Sequence, residues 1–242
     1  MPHPSVLISD LVKVYSGGQR AVDGIDLSIA EGEIFGLIGP NGAGKSTTIR
    51  MLATLLKPTE GRITIFGNDV VKDEIAVRGQ ISYLPEDAGA YENLKGREYL
   101  KFMAAFYEGE QGAIVSRGID IADLKERIDS QIKEYSKGMK RRLLIARTLM
   151  TTPKVAIMDE PTAGLDVMHG HYVRAKIKEV VKATGGTAII SSHNLLEVEF
   201  LCDRVALINK GKIIALGTPP ELKARYSANN LEEVFLGAVG SA

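Results

Sequence analysis

Eight consecutive residues carry the clearest chemical signal in the chain, because they combine closely spaced glycines with a lysine and a hydroxyl group. They read Gly39-Pro40-Asn41-Gly42-Ala43-Gly44-Lys45-Ser46 and match the pattern G-x-x-x-x-G-K-[ST]. Without a Cβ at the glycines, successive backbone N–H groups can turn inward and form a nest for an anion. Lys45 can then reach the β- and γ-phosphates, and the Ser46 hydroxyl is placed to ligate Mg²⁺. This phosphate loop predicts a nucleoside triphosphate site.

An acidic pair follows a second apolar run. Residues 155–158 are typical of a buried strand and deliver Asp159 and Glu160 at its carboxyl end, where ligands bind in open α/β sheets. We expect Asp159 to hold Mg²⁺ through its water shell and Glu160 to polarise the attacking water as general base. The alternative is a surface acidic pair that only ends a strand.

A histidine lies at a third strand end. His193 follows the strand-like residues 187–191 and precedes a helical stretch. A lone histidine is usually structural, but this position suits a sensor of the γ-phosphate, so we interpret it as functional.

The elements that must position these side chains follow from hydrophobic periodicity. Residues 34–38 predict a buried strand before the phosphate loop, and residues 47–56 predict a helix after it. Beyond residue 33, apolar runs alternate with helical patterns, which indicates an α/β fold with a mainly parallel sheet. Residues 6–15 and 25–29 predict an N-terminal antiparallel β layer, and residues 205–216 predict a hairpin.

Between residues 92 and 149 the strand signal gives way to helical spacing, which predicts an inserted α-helical subdomain. We therefore expect one domain over residues 1–242, with a catalytic core and its β layer in 1–86 and 150–242 and the helical subdomain in 87–149. An aromatic stripe in this subdomain is expected to pack in the core. It comprises Tyr99, Phe102, Met103, Phe106 and Tyr107.

The amino-acid composition bears on which partners and which compartment we expect for the chain. Lys plus Arg equals Asp plus Glu at 30 each, so charge gives no support for a nucleic-acid partner. The single cysteine, Cys202, is expected to be a buried structural thiol in a reducing cytoplasm. No apolar stretch approaches the roughly 18 residues that span a bilayer.

Together these motifs resemble the ATP-binding subunits of ABC transporters over essentially the whole chain. The phosphate loop continued to Thr47, residues 155–160 and His193 each resemble a family motif, and Ala163-Gly164-Leu165-Asp166 resembles the D-loop. Most diagnostic is Tyr135-Ser136-Lys137-Gly138-Met139, hereafter the signature segment, which resembles L-S-G-G-Q. Ser136 is a good N-cap, whose hydroxyl and neighbouring N–H groups can face an anion.

The resemblance implies ATP and Mg²⁺ as cofactors and a homodimer that closes head-to-tail around two ATPs. Ser136, Gly138 and Asp166 would then contact the nucleotide held by the opposite subunit. It also implies a separately encoded membrane-spanning permease, placing this chain on the cytoplasmic face of the membrane. The variant signature segment and the tail at residues 230–236 resemble the drug- and sodium-exporter branch.

Three positions extend or depart from the family pattern. Tyr15 lies where an aromatic ring stacks on adenine, although an ordinary edge-strand tyrosine is the alternative. Glu86 replaces a glutamine and can still ligate Mg²⁺ or a water, but an ionised carboxylate cannot donate a hydrogen bond. Lys137 replaces the first glycine of the signature. The competing functional hypothesis is a soluble ABC ATPase in a non-transport role such as iron–sulfur cluster assembly.

Overall fold

The computed structural model describes residues 4–240, apart from the side chains of residues 196 and 197. Its strands are β1 (Pro4–Val14), β2 (Arg20–Ala30), β3 (Ile34–Ile38), β4 (Glu60–Ile65), β5 (Asn68–Asp69), β6 (Ile81–Leu84), β7 (Val155–Asp159), β8 (Thr187–Ser192), β9 (Arg204–Asn209) and β10 (Lys212–Gly217). Its helices are α1 (Lys45–Leu52), α2 (Glu74–Arg78), α3 (Gly96–Ala104), α4 (Gln111–Ala122), α5 (Lys137–Leu149), α6 (Val167–Thr184), α7 (Leu195–Leu201), α8 (Pro219–Tyr226) and α9 (Leu231–Gly240).

The N-terminal strands form a four-stranded antiparallel sheet in the order β2-β1-β4-β5, which confirms the predicted β layer. Buried and exposed side chains alternate along β2 from Ile25 to Ile29, as expected for a sheet with one face on the core, whereas register shifts in β1 interrupt the alternation there. Val6, Ile25 and Ile49 belong to one apolar cluster that joins this sheet to α1 and to the second sheet. The β layer therefore supports the helix that follows the phosphate loop.

The second sheet has the order β10-β9-β3-β8-β7-β6 and is parallel except for the edge strand β10, which pairs antiparallel with β9. The predicted mainly parallel sheet and the β9–β10 hairpin are thus confirmed. Strand β8 lies between β3 and β7, with Ser192 opposite Ile38 and Ser191 opposite Asp159. The carboxyl ends of these three neighbouring strands consequently meet at one edge.

Two sequence-based expectations were wrong in detail. The helix predicted over residues 47–56 begins at Lys45 and ends at Leu52, because Thr54 adopts a φ of 61° that an α-helix cannot accommodate. In the aromatic stripe Tyr99 is buried, whereas Phe102, Phe106 and Tyr107 are exposed. Helix α3 ends at Ala104, so helical spacing no longer applies to the last two rings.

The single cysteine is buried as predicted. Its sulfur lies against Gly36 of β3, where a Cβ would approach Cys202 Sγ to 3.0 Å. Burial raises the pKa of the Cys202 thiol well above its ordinary value. Across the described part of the chain, no helix is both long and apolar enough to cross a membrane.

Candidate active site

The phosphate loop connects the end of β3 to the first residue of α1, so its N–H groups gather at a helix N-terminus. Gly42 and Gly44 adopt φ values of 77° and 109°, a region that favours glycine. A Cβ on Gly39 would lie 2.1 Å from the carbonyl oxygen of Ile208 on β9, so only glycine fits there. Backbone conformation and packing together explain the glycines of the motif.

Lys45 is buried, with 5% of its surface exposed. Its Nζ donates to the carbonyl oxygens of Gly39 at 2.7 Å and Pro40 at 3.2 Å and lies 3.8 Å from Glu160 Oε1. A buried ammonium needs such partners. A phosphate bound by the loop can replace these acceptors as the partner of the ammonium.

Glu160 links two of the strand ends. Its Oε1 lies 2.9 Å from Nδ1 of His193, whose side chain is 55% exposed at the end of β8. The Glu160 backbone N–H donates to the carbonyl oxygen of Ser191 at 3.2 Å and to the Ser191 hydroxyl at 3.1 Å. Glu160 has a φ of 48°, unusual for a residue with a side chain. The predicted base and the predicted sensor are therefore in direct contact.

Oxygen ligands suited to Mg²⁺ stand beside the loop. Ser46 Oγ lies 3.4 Å from Asp159 Oδ1, which also accepts a hydrogen bond from the Ser191 hydroxyl. Within residues 4–240, no group of three His, Cys, Asp or Glu side chains could hold a metal by itself. A divalent ion at Ser46 and Asp159 would thus depend on additional oxygens, such as those of a nucleotide.

Most of these residues border a cleft of about 240 Å³, whereas Gly39, Pro40 and Asp159 lie outside its lining and contact it through Lys45 and Ser46. It is lined by Tyr15, Gln19, Ala21, Asn41, Gly42, Ala43, Gly44, Lys45, Ser46, Thr47, Glu86, Glu160 and His193. The Tyr15 hydroxyl lies 3.2 Å from Thr47 Oγ1, which fixes the ring at the mouth of the cleft. Sequence reasoning missed Gln19 and Ala21, which reach the cleft through the turn and pairing of β1 with β2 rather than through a local motif.

A second group of predicted site residues lies outside the cleft lining: Ser136, Gly138 and Asp166. The Ser136 hydroxyl caps α5 by accepting from Met139 N at 3.2 Å, and Asp166 caps α6 by accepting from His169 N at 2.9 Å. The His169 imidazole bonds Asp166 through Nδ1 at 2.8 Å. It also covers Gly138, where a Cβ would lie 2.4 Å from His169 Cδ2. The signature segment and the D-loop are thus packed together.

Arg141 is a functional candidate that sequence reasoning missed. Its Nε donates to Pro161 O at 2.6 Å, and its Nη1 donates to Glu86 O at 3.2 Å. Its Nη2 donates to Asp159 O at 3.3 Å and to Glu160 O. Burial lowers the pKa of Arg141, and the carboxylates of Glu86, Asp159 and Glu160 oppose that shift. An arginine on the buried face of α5 was the available signal.

Comparison with known proteins places this arrangement among ATP-binding subunits. Residues 22–163 match the family model described as ABC transporter. The chain is 42% identical over 236 residues to the daunorubicin/doxorubicin resistance ATP-binding protein of Streptomyces peucetius, covering 95% of this chain and 70% of that protein.

Solved structures of ATP-binding subunits have the same fold as this chain. An ATP-binding subunit of an ABC transporter superposes with a TM-score of 0.85 at 29% identity, covering 97% of this chain and 99% of that one. A dimeric ATP-binding cassette in a post-hydrolysis state, bound to ADP and Pi, superposes with a TM-score of 0.78 at 25% identity, covering 88% and 98%.

Proposed function

Because this chain belongs to the ABC transporter family, as an ATP-binding subunit that hydrolyses ATP, we propose that two copies close around two ATPs and drive a separate membrane-spanning subunit. The observation that carries the proposal is the division of the site residues. The phosphate loop, Glu160 and His193 form one cleft, while the signature segment and Asp166 lie outside it. Each chain then supplies a cleft and, separately, a signature.

Within the cleft, Lys45 exchanges its partners when ATP arrives. The γ-phosphate replaces the carbonyl oxygens of Gly39 and Pro40 and the carboxylate of Glu160, all within 3.8 Å of Lys45 Nζ. Glu160, released from the lysine but still bonded to His193 through Oε1, can accept a proton from the attacking water. His193 orients that carboxylate and contacts the γ-phosphate.

Ser46, Asp159 and Glu86 supply the protein ligands and water contacts for Mg²⁺, which when bound neutralises phosphate charge. Tyr15 stacks on adenine at the cleft mouth. Backbone N–H groups of the phosphate loop, from Gly39 to Thr47, hold the phosphates.

The second copy completes each site. The N-terminus of α5, capped by Ser136, carries a partial positive charge that attracts a phosphate. Gly138 permits the closest backbone approach, and Asp166 meets the opposite subunit. The dimeric solved neighbour supports this arrangement.

The two chain segments 1–86 and 150–242 act as catalytic core, and 87–149 acts as the helical subdomain that carries the signature. The subunit works at the cytoplasmic face, bound to a permease. Similarity to a drug-resistance ATP-binding protein supports export as the direction. Neither the site nor the comparisons specifically favours a soluble role in iron–sulfur assembly.

The test is complementation between two damaged subunits. A Lys45→Ala chain mixed with a Ser136→Arg chain forms dimers in which one composite site carries both changes and the other is intact. We expect partial recovery of ATPase activity in the mixture, absent from either variant alone. Cross-linking shows that mixed dimers form, and no recovery in their presence would contradict a signature that acts on the partner's ATP.

A further inference from the structure

We propose that Arg141 is a positioning residue that holds the backbone of Glu160 and thereby ties the signature helix α5 to the ATP site of its own chain. The inference rests on the proposed role of Glu160 as general base. The inference adds Arg141, which contacts the backbone at the end of β7 and does not line the cleft.

Glu160 needs external support because its backbone is strained. A φ of 48° is costly for a residue with a Cβ, and such strain persists only where the surroundings determine it. On the amide side, the Glu160 N–H is held by Ser191 of β8. On the carbonyl side, the oxygens of Asp159, Glu160 and Pro161 all accept hydrogen bonds from Arg141.

The arginine is built for this position. Only 7% of its surface is exposed, and its planar guanidinium presents a fixed fork of N–H donors to four carbonyl oxygens. The fourth acceptor is the carbonyl of Glu86, so both acidic residues of the cleft are held by one side chain. A lysine, with a single nitrogen, cannot occupy the same set of positions.

Helix α5 connects the contact between Arg141 and Glu160 to the signature segment. Ser136 caps α5, and Arg141 follows five residues later, about 7.5 Å along the axis. The same rigid helix therefore faces the partner's ATP at its first turn and holds the chain's own Glu160 from its second. Displacement of α5 changes the hydrogen bonds from Arg141 that support Glu160. Hydrolysis in each site therefore depends on whether the signature segment of the same chain is bound to the partner's ATP.

The first experiment compares Arg141→Gln with Arg142→Gln in the full chain. Arg142 is a matched control in the same helix: it is 17% exposed and donates to the carbonyls of Ala122 and Asp123, which anchors it to α4. We expect Arg141→Gln to lower kcat by about 30-fold while KM for ATP stays within about threefold, and Arg142→Gln to keep kcat within about threefold. Arg141→Lys should fold and lose about tenfold in kcat.

A purely structural role gives a different pattern. In that case kcat falls only in parallel with the thermal midpoint in both variants, and the proposal is wrong. If Arg141→Gln does not fold, Arg141→Lys decides by the same comparison.

The second experiment is a double-mutant cycle with Glu160→Gln. If Arg141 acts through Glu160, adding Arg141→Gln to Glu160→Gln lowers the residual rate by less than about twofold. Multiplication of the two separate losses would overturn the proposal. Size-exclusion chromatography of Glu160→Gln with ATP tests the proposed dimer independently of Arg141. Absence of a dimer in Glu160→Gln alone contradicts the closed dimer, whereas the kcat comparison still judges Arg141.

Discussion

The phosphate loop and the signature segment both place a helix N-terminus toward an anion, but they differ in how completely the chain satisfies their polar groups. Lys45, at the start of α1, is buried and has three acceptors within 3.8 Å. Ser136 and Lys137, at the start of α5, are exposed. The first region is a cleft whose polar groups are already paired, and the second begins with two exposed residues at a helix N-terminus.

The contrast follows from the cost of burial. A buried ammonium without partners is strongly unfavourable, so the cleft must supply substitutes for phosphate before ATP arrives. An exposed helix N-terminus is solvated by water and carries no such requirement. The signature can therefore remain ready for an external anion at little cost to folding, which is what a site shared between two chains requires.

The largest effect on ATPase activity is expected from a change in the phosphate-loop cleft. Lys45→Ala should abolish detectable ATPase activity, a loss of at least about 100-fold, because a charge-assisted contact that strengthens in the transition state is removed. Steady-state hydrolysis by the purified chain measures it, with Lys101→Ala on the exposed face of α3 as the control. Near-normal turnover in Lys45→Ala would overturn the assignment of the cleft.

An intermediate effect is expected from the signature. Gly138→Ala places a Cβ against the His169 ring and should cost about 1–3 kcal/mol of stability, as overpacking does. ATP binding to the isolated chain should not change, but hydrolysis should fall by about tenfold because the methyl group and the backbone and ring shifts that it forces alter the surface that would meet the partner's phosphate.

Adding His169→Ala sharpens this prediction, with His169→Ala alone as the reference. Removing the ring should restore the thermal midpoint of Gly138→Ala without restoring hydrolysis. Recovery of both would reduce Gly138 to a packing residue and remove the contrast between the two regions.

The smallest effect is expected at Glu86, where the cleft meets the helical subdomain. Glu86→Gln should leave basal hydrolysis within about tenfold, roughly 1.4 kcal/mol in barrier, because the amide keeps an oxygen for a metal-bound water. Stimulation by the membrane-spanning subunit should change more than the basal rate, measured in reconstituted vesicles. Unchanged basal and stimulated rates would mean that Glu86 only terminates a strand.

Features set by neighbouring residues could be predicted from the sequence. The phosphate loop, the β9–β10 hairpin and the Ser136 cap depend on glycine, turn and capping preferences within a few positions. Long-range packing could not be predicted in the same way. Arg141 meets acceptors 55 residues upstream and 18 to 20 residues downstream, and no local pattern encodes those contacts.

The same limit explains the aromatic stripe. Helical spacing correctly marked Tyr99 as buried, but the end of α3 at Ala104 left Phe106 outside the periodic segment. Phe102 instead stacks edge-to-face on Tyr91 and Phe106, with ring centroids 5.4 and 5.3 Å apart. Where a helix stops decides which side chains its periodicity can bury.

The buried Cys202 makes the chain a convenient host for site-directed labels. It is the sole cysteine of the sequence, and its burial keeps maleimides and other thiol reagents away from the sulfur and also raises the pKa of the thiol. A cysteine introduced on the exposed surface would therefore take a fluorophore or spin label selectively while Cys202 stays in place. Closing and reopening of the dimer could then be followed as a distance in an otherwise unaltered core.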